Sequence, residues 1–294
     1  MERQNVVSVS HSNSLTEKIG IIAGRGQLPL RLAKSLTARG IPVFVLLVKN
    51  EALPDDYAQF SSEVIPITKI GKFIAALKRE DCLRVTMAGP INRPNFKNIF
   101  PDKEGFKLLS KIGASLSKGD DGLLRAITQF VEDKGFEVVG AHELDEGFVA
   151  EVGTLGDVHP TAEEFKDIAK GVEVARTIGI FDIGQALVIR CEYVLGVEAA
   201  EGTEQLISRC AAFAWENPAG VLVKLPKLGQ DLRTDMPTIG PDTIDQMKSA
   251  GLKGVTIESG NTLILGREEL IKRANDANIF VHVIEPLNNT SAND

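Results

Sequence analysis

The chain has 294 residues, of which 43% are hydrophobic and 25% are charged, and its formal net charge is −7 at pH 7. These values are typical of a globular protein, and they exclude a disordered chain, a fibrous chain and a protein that holds nucleic acid by a general basic surface. The length predicts two domains of ordinary size, each with its own core.

The N-terminus and the cysteines indicate the compartment. Residues 1–18 are polar and lack the apolar core of a signal peptide, so we expect a loosely ordered tail there. Three scattered cysteines without a CxxC pair fit a reducing cytoplasm. No run approaches the roughly 18 apolar residues of a spanning helix, so we expect a cytoplasmic protein, with peripheral contact at a membrane surface left open.

The first half of the chain alternates short apolar runs with helical patterns. Helices are predicted at Pro29–Arg39 and Gly71–Arg79, between apolar runs at residues 19–24, 41–48, 63–67, 84–89 and 136–141. Continuous apolar strands separated by amphipathic helices are typical of a parallel sheet with helices on both faces. We therefore predict an α/β fold whose N-terminal domain, residues 19–150, is Rossmann-like.

The pattern breaks near residues 147–165, which are rich in glycine and turn residues, and we place the domain connection there. Helices are then predicted at residues 161–177, after residue 205 and at 242–250, with strands at QALVIR, YVLGVE, GVLVKL, GVTIE, NTLILG and IFVHVIE. Adjacent short strands indicate a mixed sheet. We predict a C-terminal catalytic domain of α/β type over residues 151–286, with α+β as the alternative, and a tail at 287–294.

A glycine-containing turn follows the first strand. GIIAGRGQLP places Gly24, Arg25, Gly26 and Gln27 between a strand and a helix N-terminus, where free backbone N–H groups can receive a phosphate or the polar edge of a nucleotide. As a dinucleotide fingerprint it is incomplete, because the third glycine of GxGxxG falls on Pro29. The alternative is a tight strand-to-helix turn without a ligand.

Two further segments supply polar side chains near predicted strand and helix ends. AGPINRPNF follows a strand, and its Asn92 and Arg93 suit a base or sugar and a phosphate respectively. KGDDGLL offers Lys118, with Asp120 and Asp121 as Mg²⁺ or ribose partners. The alternatives are a proline-stiffened loop for the first segment and an N-terminal helix cap for the second.

A similar arrangement recurs in the C-terminal half. In EAAEGTEQ, Gly202 and Thr203 open a helix after a strand, and Thr203 can hydrogen-bond a phosphate at that N-terminus. The alternative is that Thr203 only caps the helix.

KLPKLGQDLRTDMPTIGPDT, residues 224–243, concentrates charge between prolines. If the segment is extended, Asp231 and Asp235 lie roughly 13 Å apart at about 3.3 Å per residue. If it is helical, they lie about 6 Å apart, but Pro237 disfavours a continuing helix. We therefore expect separate tasks: a carboxylate that binds Mg²⁺ or orients a water, and Arg233 neutralising phosphoryl oxygens. The alternative is a salt-bridged loop between domains.

Taken in order, GIIAGRGQLP, AGPINRPNF, KGDDGLLRAI, DIGQALVI, VEAAEGTEQ and QDLRTDMPTIGPDTI closely resemble the UDP-2,3-diacylglucosamine pyrophosphatases of lipid A biosynthesis, of the alphaproteobacterial type. The resemblance extends from about Lys18 to Pro286. It implies two α/β domains with the substrate between them and Mg²⁺-dependent hydrolysis of UDP-2,3-diacylglucosamine to UMP and 2,3-diacylglucosamine 1-phosphate.

The resemblance also implies roles for individual residues. The family's catalytic aspartate lies in an R-x-D-x-P-T-I-G pattern, which makes it Asp235 here, either as a metal ligand or as a general base. Arg233, Lys224 and the helix terminus at 202–203 would then hold phosphate oxygens, with Gln230 as a further substrate-binding residue. These motifs leave open whether the chain works as a monomer or a homodimer.

Two other functions remain open from sequence alone. An NAD-type oxidoreductase would use the Gly24 loop for a dinucleotide, although Lys49 stands where an acidic ribose partner is expected. A non-enzymatic regulator would bind a sugar nucleotide without turning it over.

Overall fold

The computed structural model describes residues 17–92, 101–112, 119–213 and 217–287, with only the backbone described at 111, 112 and 119–121. The predicted tails therefore fall almost entirely outside the described residues. The helices are α1 Leu28–Ala38, α2 Ile70–Arg79, α3 Lys103–Ile112, α4 Gly119–Glu132, α5 Ala141–Leu144, α6 Ala162–Gly179, α7 Thr203–Cys210, α8 Pro241–Ser249 and α9 Arg267–Asp276. The strands are β1 Ile19–Ala23, β2 Val43–Val48, β3 Ser62–Ile65, β4 Arg84–Ala88, β5 Glu137–Val138, β6 Gly153–Leu155, β7 Ala186–Arg190, β8 Tyr193–Val197, β9 Val221–Lys224, β10 Thr238–Ile239, β11 Gly254–Glu258, β12 Leu263–Ile264 and β13 Phe280–Ile284.

The first sheet is parallel throughout and runs in the order β3-β2-β1-β4-β5. Its central strand β1 is buried at all five positions, because apolar clusters cover both of its faces. This explains why the strand reads as a continuous apolar run rather than an alternating one. The predicted parallel sheet of the N-terminal half is confirmed, and its carboxyl edge carries the Gly24 loop.

The second sheet is mixed and runs in the order β6-β13-β11-β9-β7-β8. Strands β9, β11 and β13 are parallel, whereas β6 pairs antiparallel with β13 and β7 antiparallel with both β9 and β8. The predicted mixed sheet is confirmed. Strand β6 was not predicted, because its three residues lie within the glycine-rich stretch that the sequence marks as a break.

The segment NTLILG was predicted as a strand, and two of its residues form one, but outside the main C-terminal sheet. Its strand β12 pairs instead with β10 in a separate two-stranded parallel sheet. The reason is packing across the two halves, because Leu263 of β12 and Met236 join the apolar cluster formed by β1 and α1. The segment around β10 and β12 therefore fixes the charged loop between β9 and β10, residues 225–237, against the first sheet.

Among the described helices, none combines the length and the apolar character that crossing a bilayer requires.

Candidate active site

The carboxyl edge of the second sheet collects buried charged side chains. Lys224 ends β9 and Glu258 ends the parallel strand β11, so both lie at the same edge. Glu198 follows β8, which runs in the same direction as β9 because each is antiparallel to β7. All three residues are buried. Open α/β sheets hold ligands outside the carboxyl ends of their parallel strands, so this edge is where a site is expected.

Lys224 is a buried cation with fixed partners. Its Nζ donates to the Thr238 carbonyl oxygen at 2.9 Å, and its residue is 7% exposed. Burial lowers the pKa of the Lys224 ammonium, and the charges of Glu198 and Asp235 oppose that shift. The lysine therefore lies within the electrostatic reach of both carboxylates and bonds the strand, β10, that follows the charged loop. The predicted role of Lys224 as a phosphate ligand stays a prediction.

Glu198 ties the start of helix α7 to the sheet. Its carboxylate accepts from the Thr203 hydroxyl at 2.7 Å and from the Gln185 backbone N–H at 2.9 Å. Gly202, with φ +83°, precedes the helix and adopts a backbone conformation that favours glycine. Thr203 therefore bonds a neighbouring carboxylate rather than capping its own helix, and the backbone N–H groups of that first turn remain the feature suited to an anion.

The charged loop makes a single helical turn. The Asp235 N–H donates to the Asp231 carbonyl oxygen at 3.1 Å, and the chain then leaves the turn at Met236 and Pro237. The extended alternative for this segment is thus wrong and the helical one holds for one turn only, as the proline requires. The two aspartates nevertheless have different partners.

Asp235 is held by a neutral amide. Gln230 donates its Nε2–H to Asp235 Oδ2 at 2.6 Å, and Gln230 Oε1 accepts the Lys227 backbone N–H at 2.9 Å. Because both ends of the Gln230 amide are bonded, the orientation of the amide is fixed and it fixes the carboxylate in turn. Asp235 is only partly buried, so it can meet a ligand.

Arg233, by contrast, is occupied by carboxylates. It donates to Asp231 through two nitrogens at 2.9 and 2.8 Å and to Glu132 of α4 at 2.7 Å. These hydrogen bonds hold the pKa of the Asp231 carboxyl below its usual value. A fourth contact reaches the Val138 carbonyl oxygen at 3.5 Å. Arg233 therefore forms a salt bridge between the two halves, as the alternative for this loop predicts. The catalytic role of Arg233 stays a prediction.

Helix α4 also contacts the loop at a second point. Arg125 donates through Nη2 to the Gly229 carbonyl oxygen. Arg125 and Glu132 are seven residues apart, about two helical turns, and so lie on one face of α4. That face holds the charged loop at both ends of its turn.

The backbone of the Gly24 loop packs closely against the backbone at Ala88 and Gly89. The Gly24 N–H donates to the Ala88 carbonyl oxygen at 2.8 Å, and a Cβ at Gly24 would lie 2.5 Å from the Gly89 carbonyl oxygen. A side chain cannot be accommodated there, which explains the glycine. Gly26 has φ +84° and Gln27 lies just before α1, with Pro29 in the first turn as predicted.

Arg25 and Asn92 meet at this edge with a third residue. Arg25 Nη2 donates to Asn92 Oδ1 at 2.9 Å, and Arg25 Nε forms an ion pair with Glu51 at 2.9 Å. The Asn92 backbone N–H donates to the same Glu51 at 3.2 Å. The structure thus brings the first two predicted ligand segments together, around an acidic residue that the sequence did not single out.

Several predicted site residues cannot be placed. Arg93 and Lys118 lie outside the described residues, and the side chains of Asp120 and Asp121 do too. The backbone of the latter pair is in the first turn of α4, where acidic residues suit the helix dipole.

Comparison with known proteins agrees with this two-sheet arrangement. A family model described as the LpxI N-terminal domain matches residues 18–148, and one described as the LpxI C-terminal domain matches residues 151–282. A curated Caulobacter vibrioides protein, named UDP-2,3-diacylglucosamine pyrophosphatase LpxI, is 39% identical over 275 residues, covering 92% of this chain and 98% of its relative. The chain belongs to the LpxI family.

Membership of the LpxI family raises the question of whether the site suits the expected Mg²⁺. Among the described residues, no group of three or more His, Cys, Asp or Glu side chains is placed to hold a metal ion. Both carboxylate oxygens of Glu198 bond the protein, Asp231 bonds Arg233, and Asp235 accepts from Gln230 within the electrostatic reach of Lys224 while staying partly exposed. Mg²⁺ is commonly bound by one or two carboxylates together with substrate phosphates and water. The donor set fits an ion shared by Asp235 and a diphosphate, and it does not fit a cage made by protein alone.

Sequence reasoning missed the residues that organise this LpxI site from a distance. Glu132 lies in no quoted motif, and Arg125 lies in KGDDGLLRAI but was not singled out; their seven-residue spacing on one helical face was the available signal. Glu51 follows β2 by three residues at the ligand-binding edge of the first sheet, which is a usable signal, but the expected position for an acidic partner was Lys49.

Proposed function

We propose that this chain hydrolyses the diphosphate of UDP-2,3-diacylglucosamine, releasing UMP and 2,3-diacylglucosamine 1-phosphate for lipid A biosynthesis. Membership of the LpxI family and the name of the Caulobacter relative support the substrate. The observation that carries the chemistry is the partly exposed Asp235 carboxylate, oriented by Gln230 at the carboxyl edge of the second sheet.

In the proposed reaction a water oxygen bonds to one phosphorus as the bridging P–O bond of the diphosphate breaks. Asp235 is proposed to accept a proton from that water as general base, with Gln230 holding the carboxylate in one orientation. The same products form whichever phosphorus is attacked. Mg²⁺, held by Asp235 and the diphosphate, would neutralise negative charge on the phosphoryl oxygens.

The remaining site residues are proposed to hold the substrate. The turn formed by Gly24, Gly26 and Gln27 and the N-terminus of α7 offer backbone N–H groups to phosphate oxygens. Arg25 and Asn92, joined at 2.9 Å, offer a cation and an amide to the nucleotide. Lys224 would act from within the protein, since its burial and its bond to Thr238 support electrostatic attraction of the diphosphate rather than direct ligation.

We also propose peripheral contact with the cytoplasmic face of the inner membrane, where a substrate with two acyl chains would reside. The supporting feature is Phe106 of α3, which is 66% exposed beside a cavity of about 400 Å³ that Phe130 also lines. An exposed aromatic side chain beside a cavity with a buried aromatic wall suits acyl chains. The division of the chain into domains at residues 150 and 151 forms part of the same proposal, and the family-model boundaries support it.

The test is product analysis with purified protein and UDP-2,3-diacylglucosamine in the presence of Mg²⁺. We expect stoichiometric UMP and acylated sugar 1-phosphate by liquid chromatography and mass spectrometry, and loss of turnover in excess EDTA. Reaction in ¹⁸O-labelled water assigns the attacked phosphorus, because only one product takes up the label. Saturable substrate binding without UMP release would instead support the non-enzymatic regulator, and NAD carried through purification would support the oxidoreductase, which LpxI family membership does not favour.

A further inference from the structure

A second cavity with an unusual charge balance lies where the two halves meet. It has a volume of about 330 Å³ and is lined by Arg31, Lys34, Asp145, Gly147, Phe148, Ile264, Gly266 and Arg267. Three of these side chains are cationic and one is anionic, in a chain whose overall charge is −7. The positive character is therefore local, and it does not follow from the composition of the protein.

The one carboxylate of the cavity is already bonded by its own surroundings. Asp145 accepts from the Ser35 hydroxyl and from the Gly147 backbone N–H, and it lies 4.0 Å from Arg39. Arg31 and Lys34, by contrast, have no ion pair with any residue that the structure describes. They are three residues apart on α1, a spacing at which like charges repel.

The third cation adds to this repulsion. Arg267 opens helix α9, whose N-terminal partial positive charge disfavours a cation, although the exposed Glu268 and Glu269 of the same turn offset part of that charge. Among the described residues, its one hydrogen bond runs from Nη1 to the Val149 carbonyl oxygen at 3.4 Å. Across the cavity, the guanidinium of Arg31 lies against the same helix terminus, because its Nη2 is 3.1 Å from the point that a Cβ at Gly266 would occupy.

We propose that this cavity is a binding site for a phosphate dianion, distinct from the site at Asp235. A dianion would relieve the repulsion among the three cations and would complement the helix terminus, in an open cavity where Arg31 and Lys34 are exposed and can be reached from solvent. Phe148 and Ile264 supply an apolar wall for a small organic group that carries the phosphate. Among the described residues, no lining side chain hydrogen-bonds or pairs with Asp235 or with the Gly24 loop, although Phe148 packs in the same apolar cluster as Met236.

The location gives such a ligand a physical consequence. Arg31 and Lys34 belong to α1 of the first half, whereas Gly266 and Arg267 belong to the second half. A phosphate bound between them links the two halves and stabilises their arrangement by mass action. The inference goes beyond the proposed hydrolysis, because it concerns a separate ligand at a separate place.

Titration calorimetry with inorganic phosphate tests the proposal. The wild-type chain is titrated at constant ionic strength without UMP, because UMP itself carries a phosphate dianion that the cavity would accept. The double variant R31Q/K34Q removes two cavity charges, and K166Q/K248Q removes two exposed lysine charges on α6 and α8 as a matched control. We expect saturable binding that weakens at least tenfold in R31Q/K34Q and is unchanged in the control, with UMP release in both variants within twofold of wild type.

Co-sedimentation with phosphatidylcholine vesicles containing phosphatidic acid identifies the source of the phosphate. Binding to these vesicles that is lost in R31Q/K34Q alone assigns a lipid headgroup, and phosphate binding without vesicle binding assigns a soluble ligand. Absence of saturable phosphate binding by the wild type, or equal affinity in the two double variants, overturns the proposal. If R31Q/K34Q does not fold, R267Q takes its place with the same expected weakening.

Discussion

The contact between Glu132 and Arg233 leads to a prediction that the sequence did not suggest. Arg233 bridges the Asp231 carboxylate of its own loop and the Glu132 carboxylate of α4, at 2.8 and 2.7 Å. Replacing Glu132 by glutamine keeps the shape of the side chain and removes its charge. The loop that carries Asp235 then loses an ion pair to the first half of the chain.

The size of this loss follows from exposure. A fully buried hydrogen bond between charged groups contributes about 1.5–3 kcal/mol, whereas exposed ion pairs contribute roughly 0–1 kcal/mol. The side chains of Arg233 and Glu132 are 37% and 31% exposed, so solvent screens the pair considerably. We therefore assign it about 1 kcal/mol, which corresponds to about a fivefold change in an equilibrium between an ordered and a released loop.

The assay is kcat/KM for UMP release by E132Q and by wild type, at low and at high salt. We expect a decrease of about fivefold at low salt that shrinks as salt rises, because salt screens the partly exposed pair in the wild type and has no pair to act on in the variant. The matched control is E137Q, which removes the carboxylate that pairs with Arg84 on the surface of the first sheet.

Two results would refute this reasoning. Equal kcat/KM for E132Q and E137Q would show that the bridge does not position the loop. A decrease of a hundredfold or more would show that Glu132 takes part in the chemistry directly, since positioning by one screened ion pair cannot account for it.

Three further predictions concern buried groups. K224M should lower the free energy of unfolding by about 1–3 kcal/mol in urea titrations, because it leaves the Thr238 carbonyl oxygen without the donor that now lies 2.9 Å away, and an unchanged stability would contradict the importance of this bond. G24A should cost about 1–3 kcal/mol by the same measurement, because the added Cβ would lie 2.5 Å from the Gly89 carbonyl oxygen, and an unchanged stability would show that the loop can shift. Burial lowers the pKa of His142 and of His282, so near pH 6 the unfolded chain binds more protons than the folded chain. The free energy of unfolding should therefore fall as pH drops below about 6.5, the ordinary pKa of histidine. H282Q should make that free energy depend less steeply on pH, and the same dependence in H282Q and wild type would contradict the argument.

Much of the fold could be predicted because its strands are buried on both faces. Runs such as IGIIA and VFVLLV remain apolar at every position, and that pattern distinguishes them from the amphipathic helices between them. Short strands were harder to predict from the sequence. Two-residue strands such as β12 carry no periodicity, and which sheet they join depends on packing against distant residues such as those of α1.

The site was predictable where a motif is local and unpredictable where partners are distant. Asp235 came from a single contiguous pattern and Gln230 lies five residues away, so both were identified together. Glu132 lies 101 residues from Arg233, and nothing in its own helix indicates which face contacts the loop. Helical periodicity identifies a face, whereas only the assembled structure shows what that face contacts.

The central claim is that the Asp235 carboxylate performs the hydrolysis, and its direct test is the rate of UMP release by D235N in a single turnover. The control is D242N, which neutralises a side chain that is 94% exposed on α8. We expect D235N to lose about a thousandfold in rate, within the range for removing a general base, while its substrate affinity stays within a fewfold of wild type and D242N is unaffected. A D235N rate within tenfold of wild type would contradict the claim.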